Sequence, residues 1–287
     1  MTNRDPSEPR DALFLCVRVP KSGSESLRSG LARTFAERRI FYLPDTLDLD
    51  GQVSRLQRLR FHRSRFQNLF RHYRSFDIRN AFRRIEREGM AGDLVMGGHI
   101  DFRTATANIA RSLRIIALLR HPLTRARSEY DYLRRGYLRK PRLNRFDASV
   151  LHKAAGRYAF DSYLDYLFAH RAIYGDVACR YLGWSGREDL AQYFAANVFH
   201  CGVLERSREF ETDLSEKLGR PFSLPHENRV DVERPALTRS QRAKLEAIYP
   251  HDFQLYEQVS TCGEFSSPSM GEVSSGAQRS ETEGEVG

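Results

Sequence analysis

Residues 13–27, LFLCVRVPKSGSESL, confine this chain more than any other stretch. Leu13 to Val19 is an apolar run rich in β-branched residues, the composition of a strand buried on both faces. Pro20 and Lys21 end it, a Ser/Gly turn follows, and a helical pattern opens at Leu27. A buried strand that feeds a helix through small residues is the opening unit of a parallel α/β sheet. It aims backbone N–H groups and a helix N-terminus at an anion above the sheet edge. Ser22-Gly23-Ser24-Glu25 reads as a capping box in which Glu25 folds back onto the helix start. The competing reading turns the Glu25 carboxylate toward the anion, where it would repel it.

A second unit of the same kind lies at 113–133, LRIIALLRHPLTRARSEYDYL. Ile115 to Leu119 is again a buried-strand run, and it closes on Arg120-His121-Pro122. Proline suits the first turn of a helix and cannot continue a central strand. Arg120 at the strand end and Ser128 two helical turns later are spaced to grip one phosphate. Charge-assisted hydrogen bonds of that kind are worth about 1.5–3 kcal/mol each. A nucleotide triphosphatase loop would instead place its lysine after the glycine, as G-x-x-x-x-G-K-[ST]. Here Lys21 precedes Gly23, and no acidic residue follows an apolar strand in the manner of a magnesium site, which argues against a P-loop nucleotide kinase.

Between and after these units the pattern keeps alternating. Ile40 to Leu43 and Asp93 to Met96 read as short strands, the latter ending in Gly97-Gly98-His99, and Phe199 to Leu204 as a late strand. Helical spacing covers about 104–112, 122–138, 158–170, 186–196, 206–218 and 238–258, with the first helix running to Arg38. The expectation is one domain over 12–260, flanked by a disordered leader at 1–11 and a disordered tail at 261–287. Residues 52–90 form an arginine-rich helical insertion, with apolar residues interleaved at spacings near three and four. Its charge either lines a trough for an acidic polymer or is a solvated helix face.

Lys and Arg exceed Asp and Glu by 46 to 37, and the excess is almost all arginine, which suits anionic partners. No nucleic-acid-binding fold accompanies the charge, so no nucleic-acid partner is expected. No apolar run is long enough to span a membrane. The polar start, MTNRDPSEPRDA, lacks the apolar core of a signal peptide. Cys16, Cys179 and Cys201 sit in apolar surroundings and read as buried thiols, favouring a reducing compartment and a cytoplasmic protein.

The loop at 20–27 resembles the 5′-phosphosulfate loop of sulfotransferases, P-K-[ST]-[GA]-[ST]-[ST]-[ST]-[LF]. Arg120, Pro122, Arg125, Ser128 and Tyr130 match that family's 3′-phosphate motif, R-x-P-x-x-R-x-x-S-x-Y, at every spacing. Weaker blocks continue the resemblance to the carbohydrate branch: residues 176–183, the stretch 199–219, and Pro225-His226-Glu227-Asn228, where Val230 replaces a serine. Gly97-Gly98-His99 resembles the H-G-H segment of the heparan and uronyl 2-O-sulfotransferases, with only the last histidine retained.

That resemblance implies an α/β, P-loop-like fold of three layers, a central parallel sheet flanked by helices. It implies transfer of a sulfuryl group from 3′-phosphoadenosine 5′-phosphosulfate to a hydroxyl of a carbohydrate or other acceptor, anionic or neutral, with no metal. Lys21 would meet the leaving phosphate. Ser22, Gly23, Ser24, Glu25, Ser26 and Leu27 would surround the 5′-phosphate, Arg120 and Ser128 the 3′-phosphate, with Asn228 nearby. His99 would be the general base, since an imidazole titrating near about 6.5 can accept a proton at neutral pH. Asp101 either orients that ring or caps the helix near 104. Glu25 departs from the family pattern of serine or threonine, which leaves a catalytically silent nucleotide- or glycan-binding relative as the alternative.

Overall fold

The structure, a computed structural model, describes residues 12–43, 71–225 and 235–261. The strands are β1 (Leu13–Val17), β2 (Ile40–Leu43), β3 (Leu94–Gly97), β4 (Leu113–Leu119) and β5 (Val198–Val203). In chain order the helices open with α1 (Ser24–Thr34), α2 (Arg71–Glu88), α3 (Phe102–Thr106) and α4 (Pro122–Arg139). Next come α5 (Val150–Arg157), α6 (Phe160–Ala169), α7 (Arg171–Tyr174) and α8 (Val177–Leu182). The last are α9 (Leu190–Asn197), α10 (Ser207–Leu218), α11 (Arg239–Ile248) and α12 (Pro250–Thr261).

The strands form one parallel sheet in the order β2-β3-β1-β4-β5. Every residue of β1 is buried, which is why it reads as a continuous apolar run rather than an alternation. Leu13, Leu15 and Val17 face one side with Phe82 and Ile85 of α2, Phe102 of α3, Leu182 of α8, Phe194 of α9 and Leu255 of α12. Phe14 and Cys16 face the other, against Leu27 and Leu31 of α1 and Phe210 and Leu214 of α10. The expected α/β architecture with a central parallel sheet flanked by helices is present. A further apolar cluster joins α4, α5, α6, α7 and α11 through Tyr130, Ala155, Tyr163, Leu164, Tyr174 and Ile248.

Several boundaries differ from the sequence reading. The first helix stops at Thr34 rather than Arg38, and α3 stops at Thr106 rather than about 112. The single helix expected over 238–258 is two: a capping box of Thr238 and Gln241 opens α11, Tyr249 ends it, and Pro250 starts α12. Proline lacks an N–H and collides with the preceding turn, so the break falls there. The new helix start is held by Asp176, whose carboxylate accepts from the backbone N–H groups of His251 (2.9 Å) and Asp252 (3.1 Å). Asp252 in turn accepts from the N–H groups of Ala178 (3.1 Å) and Cys179 (2.9 Å), so two helices cap each other. Helices α5, α7 and α8 have no counterpart in the sequence reading. Thr261 closes α12, so it belongs to the fold and not to the tail. The leader at 1–11, residues 52–70 of the arginine-rich segment and the tail from 262 lie outside the described residues. The rest of that segment is α2, whose Phe82 and Ile85 anchor it in the core.

Candidate functional site

The connection from β1 leads toward β2, on one side of the sheet, and that from β4 toward β5, on the other. Ligands in open α/β sheets bind at such a switch point, outside the carboxyl ends of the strands. Both sequence motifs stand there, 20–27 after β1 and 120–130 after β4.

The loop after β1 turns through left-handed backbone at Lys21 (φ 67°) and Gly23 (φ 78°). Gly23 has the freedom for this, and a β-carbon there would also lie 3.0 Å from Leu204 and 3.3 Å from Leu118. Lys21 and Asp176 are the two non-glycine residues with positive φ among the described residues. Such a conformation costs about 1 kcal/mol or more, and it gathers at sites where geometry serves function. The buried Ser22 hydroxyl donates to the Val19 carbonyl at 2.8 Å, which pins the turn and turns this hydroxyl away from a ligand role. Gly23 is the N-cap of α1 and contributes no side-chain acceptor, so the helix start presents its first N–H groups to the loop.

Lys21 carries its ammonium over the ring of Tyr132 on α4, 4.3 Å from the centroid. Arg120 donates from Nη1 to the Lys21 carbonyl (3.4 Å) and from Nε to the Thr124 hydroxyl (3.2 Å). The Thr124 hydroxyl is itself within 3.3 Å of the Glu205 carboxylate, which also accepts from the His121 N–H at 3.1 Å. Glu205 stands just after β5, so it ties the ends of β4 and β5 together behind Arg120. Ser128 follows Thr124 by one helical turn on the same face of α4 and is half-buried. His121 Nδ1 accepts from the Leu123 N–H at 3.3 Å, and burial, the largest cause, holds the ring's pKa below the ordinary imidazole value.

The capping-box reading of Glu25 does not hold. Its carboxylate forms an ion pair with Arg18 and a second with Arg28 at 3.2 Å, and no side chain caps α1. A buried guanidinium is a stronger partner than a helix-start N–H, so the carboxylate goes to Arg18. The same pairing turns it away from the position in which it would repel a phosphate.

His99 follows β3 and is half-buried; its Nδ1 lies 2.9 Å from the carbonyl of Arg18, and its ring meets the edge of Tyr181 at 6.0 Å. A carbonyl only accepts, so Nδ1 carries the hydrogen, and the neutral ring keeps its lone pair on Nε2. Gly97 is needed just upstream, because a β-carbon there would lie 2.3 Å from the Leu43 carbonyl. Asp101 takes the cap role of its two readings: its carboxylate accepts from the Thr104 N–H and hydroxyl, both at 2.8 Å, and it does not reach the His99 ring.

The second motif divides. Arg120 and Ser128 stay at the sheet edge, whereas Arg125 is 1% exposed and turns into the helical cluster. There its Nη1 pairs with Glu129 at 3.2 Å and its guanidinium lies 4.7 Å from the Tyr249 ring centroid. Burial alone would lower the Arg125 pKa, but Tyr249, Glu129 and Asp252 outweigh it and keep the group firmly protonated. Tyr130 donates to the Tyr158 carbonyl at 2.9 Å, also inside that cluster. Asn228 lies outside the described residues. Arg18, Thr124, Tyr132 and Glu205 were missed by the sequence reading. Arg18 had a legible signal, a charge inside an otherwise apolar strand run.

Among the described residues, no group of His, Cys, Asp or Glu could hold a metal ion, and no helix is long and apolar enough to cross a membrane. No family model matches the chain, and no curated protein matches it. Among solved structures, it is similar to the mouse sulfotransferase SULT7A1 complexed with PAP, at 13% identity and a TM-score of 0.39, over 83% of this chain and 63% of that one. The chain thus spans less than two thirds of that structure, and a likeness so distant carries no functional weight.

Proposed function

We propose that this protein is a sulfotransferase that moves a sulfuryl group from 3′-phosphoadenosine 5′-phosphosulfate to a hydroxyl, with a carbohydrate as acceptor. The observation that carries the reading is the meeting of its two motifs at the switch point, where Arg120 reaches the Lys21 carbonyl. The donor set fits a nucleotide with two phosphate positions. The left-handed turn at 21–23 and the start of α1 offer N–H groups to one, and Arg120 with Ser128 offers a cation and a hydroxyl to the other.

In this reading, the bond between sulfur and the bridging phosphate oxygen breaks as the bond from the acceptor oxygen to sulfur forms. Lys21 neutralises the charge that builds on the bridging oxygen, an interaction that strengthens toward the transition state. His99 takes the acceptor's proton on Nε2, the nitrogen left free by its contact with the Arg18 carbonyl. Glu25, held by Arg18 and Arg28, no longer counts against donor binding.

The test is sulfuryl transfer from donor carrying radioactive sulfur onto a panel of hydroxyl-bearing glycans. Labelled glycan, absent with Lys21→Ala, is the expected result. Tight binding of the desulfated nucleotide without transfer to any acceptor would make the protein a silent relative, and phosphoryl transfer from ATP would make it a kinase.

A further inference from the structure

Arg18 is the one charged side chain in the strand run 13–19, and it is 7% exposed. Burying a guanidinium is costly unless its donors are used, and its Nε has no partner among the described residues. An apolar residue would fill that position at less cost, so the arginine's contacts need a reason. Its Nη1 donates to the carbonyl of Gly97, the last residue of β3, at 2.8 Å. Its Nη2 pairs with Glu25 in the first turn of α1. Its own backbone carbonyl receives Nδ1–H from His99 at 2.9 Å.

These contacts close a clasp. The side chain of residue 18 grips the backbone of residue 97, and the side chain of residue 99 grips the backbone of residue 18. We propose that Arg18 is a positioning residue: it fixes the approach of the β1 and β3 ends so that His99 is held as the Nδ1–H tautomer with Nε2 turned to the acceptor. The catalytic meaning rests on the sulfuryl-transfer reading. The clasp itself does not.

The orientation enforced in this way follows the general pattern of a working imidazole whose second nitrogen is fixed by a backbone carbonyl. Glu25 extends the clasp to α1, so the turn carrying Lys21 and the turn carrying His99 are tied to one guanidinium. A shift of one would be transmitted to the other, and misplacement by about 1 Å can cost a hundredfold in rate.

The experiment is nitrogen NMR of the full-length protein labelled at histidine, with the His99 signals assigned by their loss in His99→Asn. In the wild type, Nδ1 should be protonated and Nε2 bare. Arg18→Met, which keeps the stem but removes every donor, should give a mixture of tautomers. It should lower kcat by about tenfold or more while KM for the donor stays within about twofold. Arg18→Lys, which can still reach the Gly97 carbonyl, should recover part of both. A wild-type His99 carrying its hydrogen on Nε2 would overturn the proposal even if Arg18→Met failed to fold. So would a folded Arg18→Met with wild-type tautomer and turnover. If the clasp is found by NMR but no donor yields transfer, the sulfuryl-transfer reading falls and the catalytic role of Arg18 falls with it.

Discussion

Arg120 and Lys21 stand 99 residues apart in sequence, and the guanidinium of one donates to the backbone carbonyl of the other at 3.4 Å. The contact is long for a hydrogen bond, so its importance is geometric more than energetic. It sets the cation after β4 beside the left-handed turn after β1, which is the spacing that two phosphate positions of one nucleotide require. Behind it, Glu205 holds Thr124 and the His121 N–H, so the Arg120 side chain approaches the site from a braced helix start.

Arg120 should reward a 3′-phosphate. Arg120→Ala is expected to weaken binding of 3′-phosphoadenosine 5′-phosphate by roughly ten- to a hundredfold, the loss of one charge-assisted contact. AMP, which lacks that phosphate, should be bound almost equally by both proteins. Calorimetry giving the wild type equal affinity for the two nucleotides would remove Arg120 and Ser128 from the site.

Lys21→Ala should depress turnover far more than it weakens the desulfated nucleotide. Its ammonium rests over the exposed ring of Tyr132 and is free of a buried ion pair, so removing it leaves little to destabilise. The expectation is a fall of about 10²-fold or more in kcat with product affinity nearly unchanged, measured by single-turnover kinetics and calorimetry. Unchanged turnover in a folded variant would dismiss the lysine.

Glu25→Ala should act on stability before it acts on binding. It strips the partner from a guanidinium that is buried, while Glu25 itself is half exposed, so the cost is placed at about 1 kcal/mol, the low end of the range for a stranded donor. Nucleotide affinity should move by less than about tenfold, because the carboxylate is engaged by Arg18 and Arg28. Thermal unfolding and calorimetry on the same samples check both, and a variant that binds nucleotide much more tightly would show that the carboxylate opposes the phosphate after all.

His200 should give the fold an acid limit. Its ring stacks on Phe210 at 4.8 Å, its Nε2 is buried without a partner among the described residues, and burial lowers its pKa to about 3. Between that value and the unfolded value near 6.5, the unfolded chain binds a proton that the folded one refuses, so stability falls as pH falls. The slope approaches about 1.4 kcal/mol per pH unit and levels off below the folded pKa. His200→Phe, which preserves the stack, should flatten that limb in urea titrations at pH 4, 5 and 6. A parallel dependence in both proteins would assign the acid sensitivity elsewhere.

The buried strands β1 and β4 could be read directly, because a strand covered on both faces must be apolar along its length, and the turn residues that follow each are restricted by backbone geometry. The alternation of those units was enough to require a parallel sheet with its loops at one edge. Spacing alone, however, gave Arg120 and Arg125 equal standing within one motif. Packing separates them: α4 turns one toward the sheet edge and the other into a cluster with Glu129 and Tyr249. Nor could local sequence choose the partner of Glu25, since the capping alternative lay three residues away and Arg18 seven. The break at Pro250 was visible as a residue but not as a helix start, because the carboxylate that completes it comes from Asp176, 75 residues earlier. Periodicity reports which residues are buried and where chains turn. Which charge meets which carbonyl depends on distances between segments far apart in sequence, and those exist only once the sheet has brought the segments together.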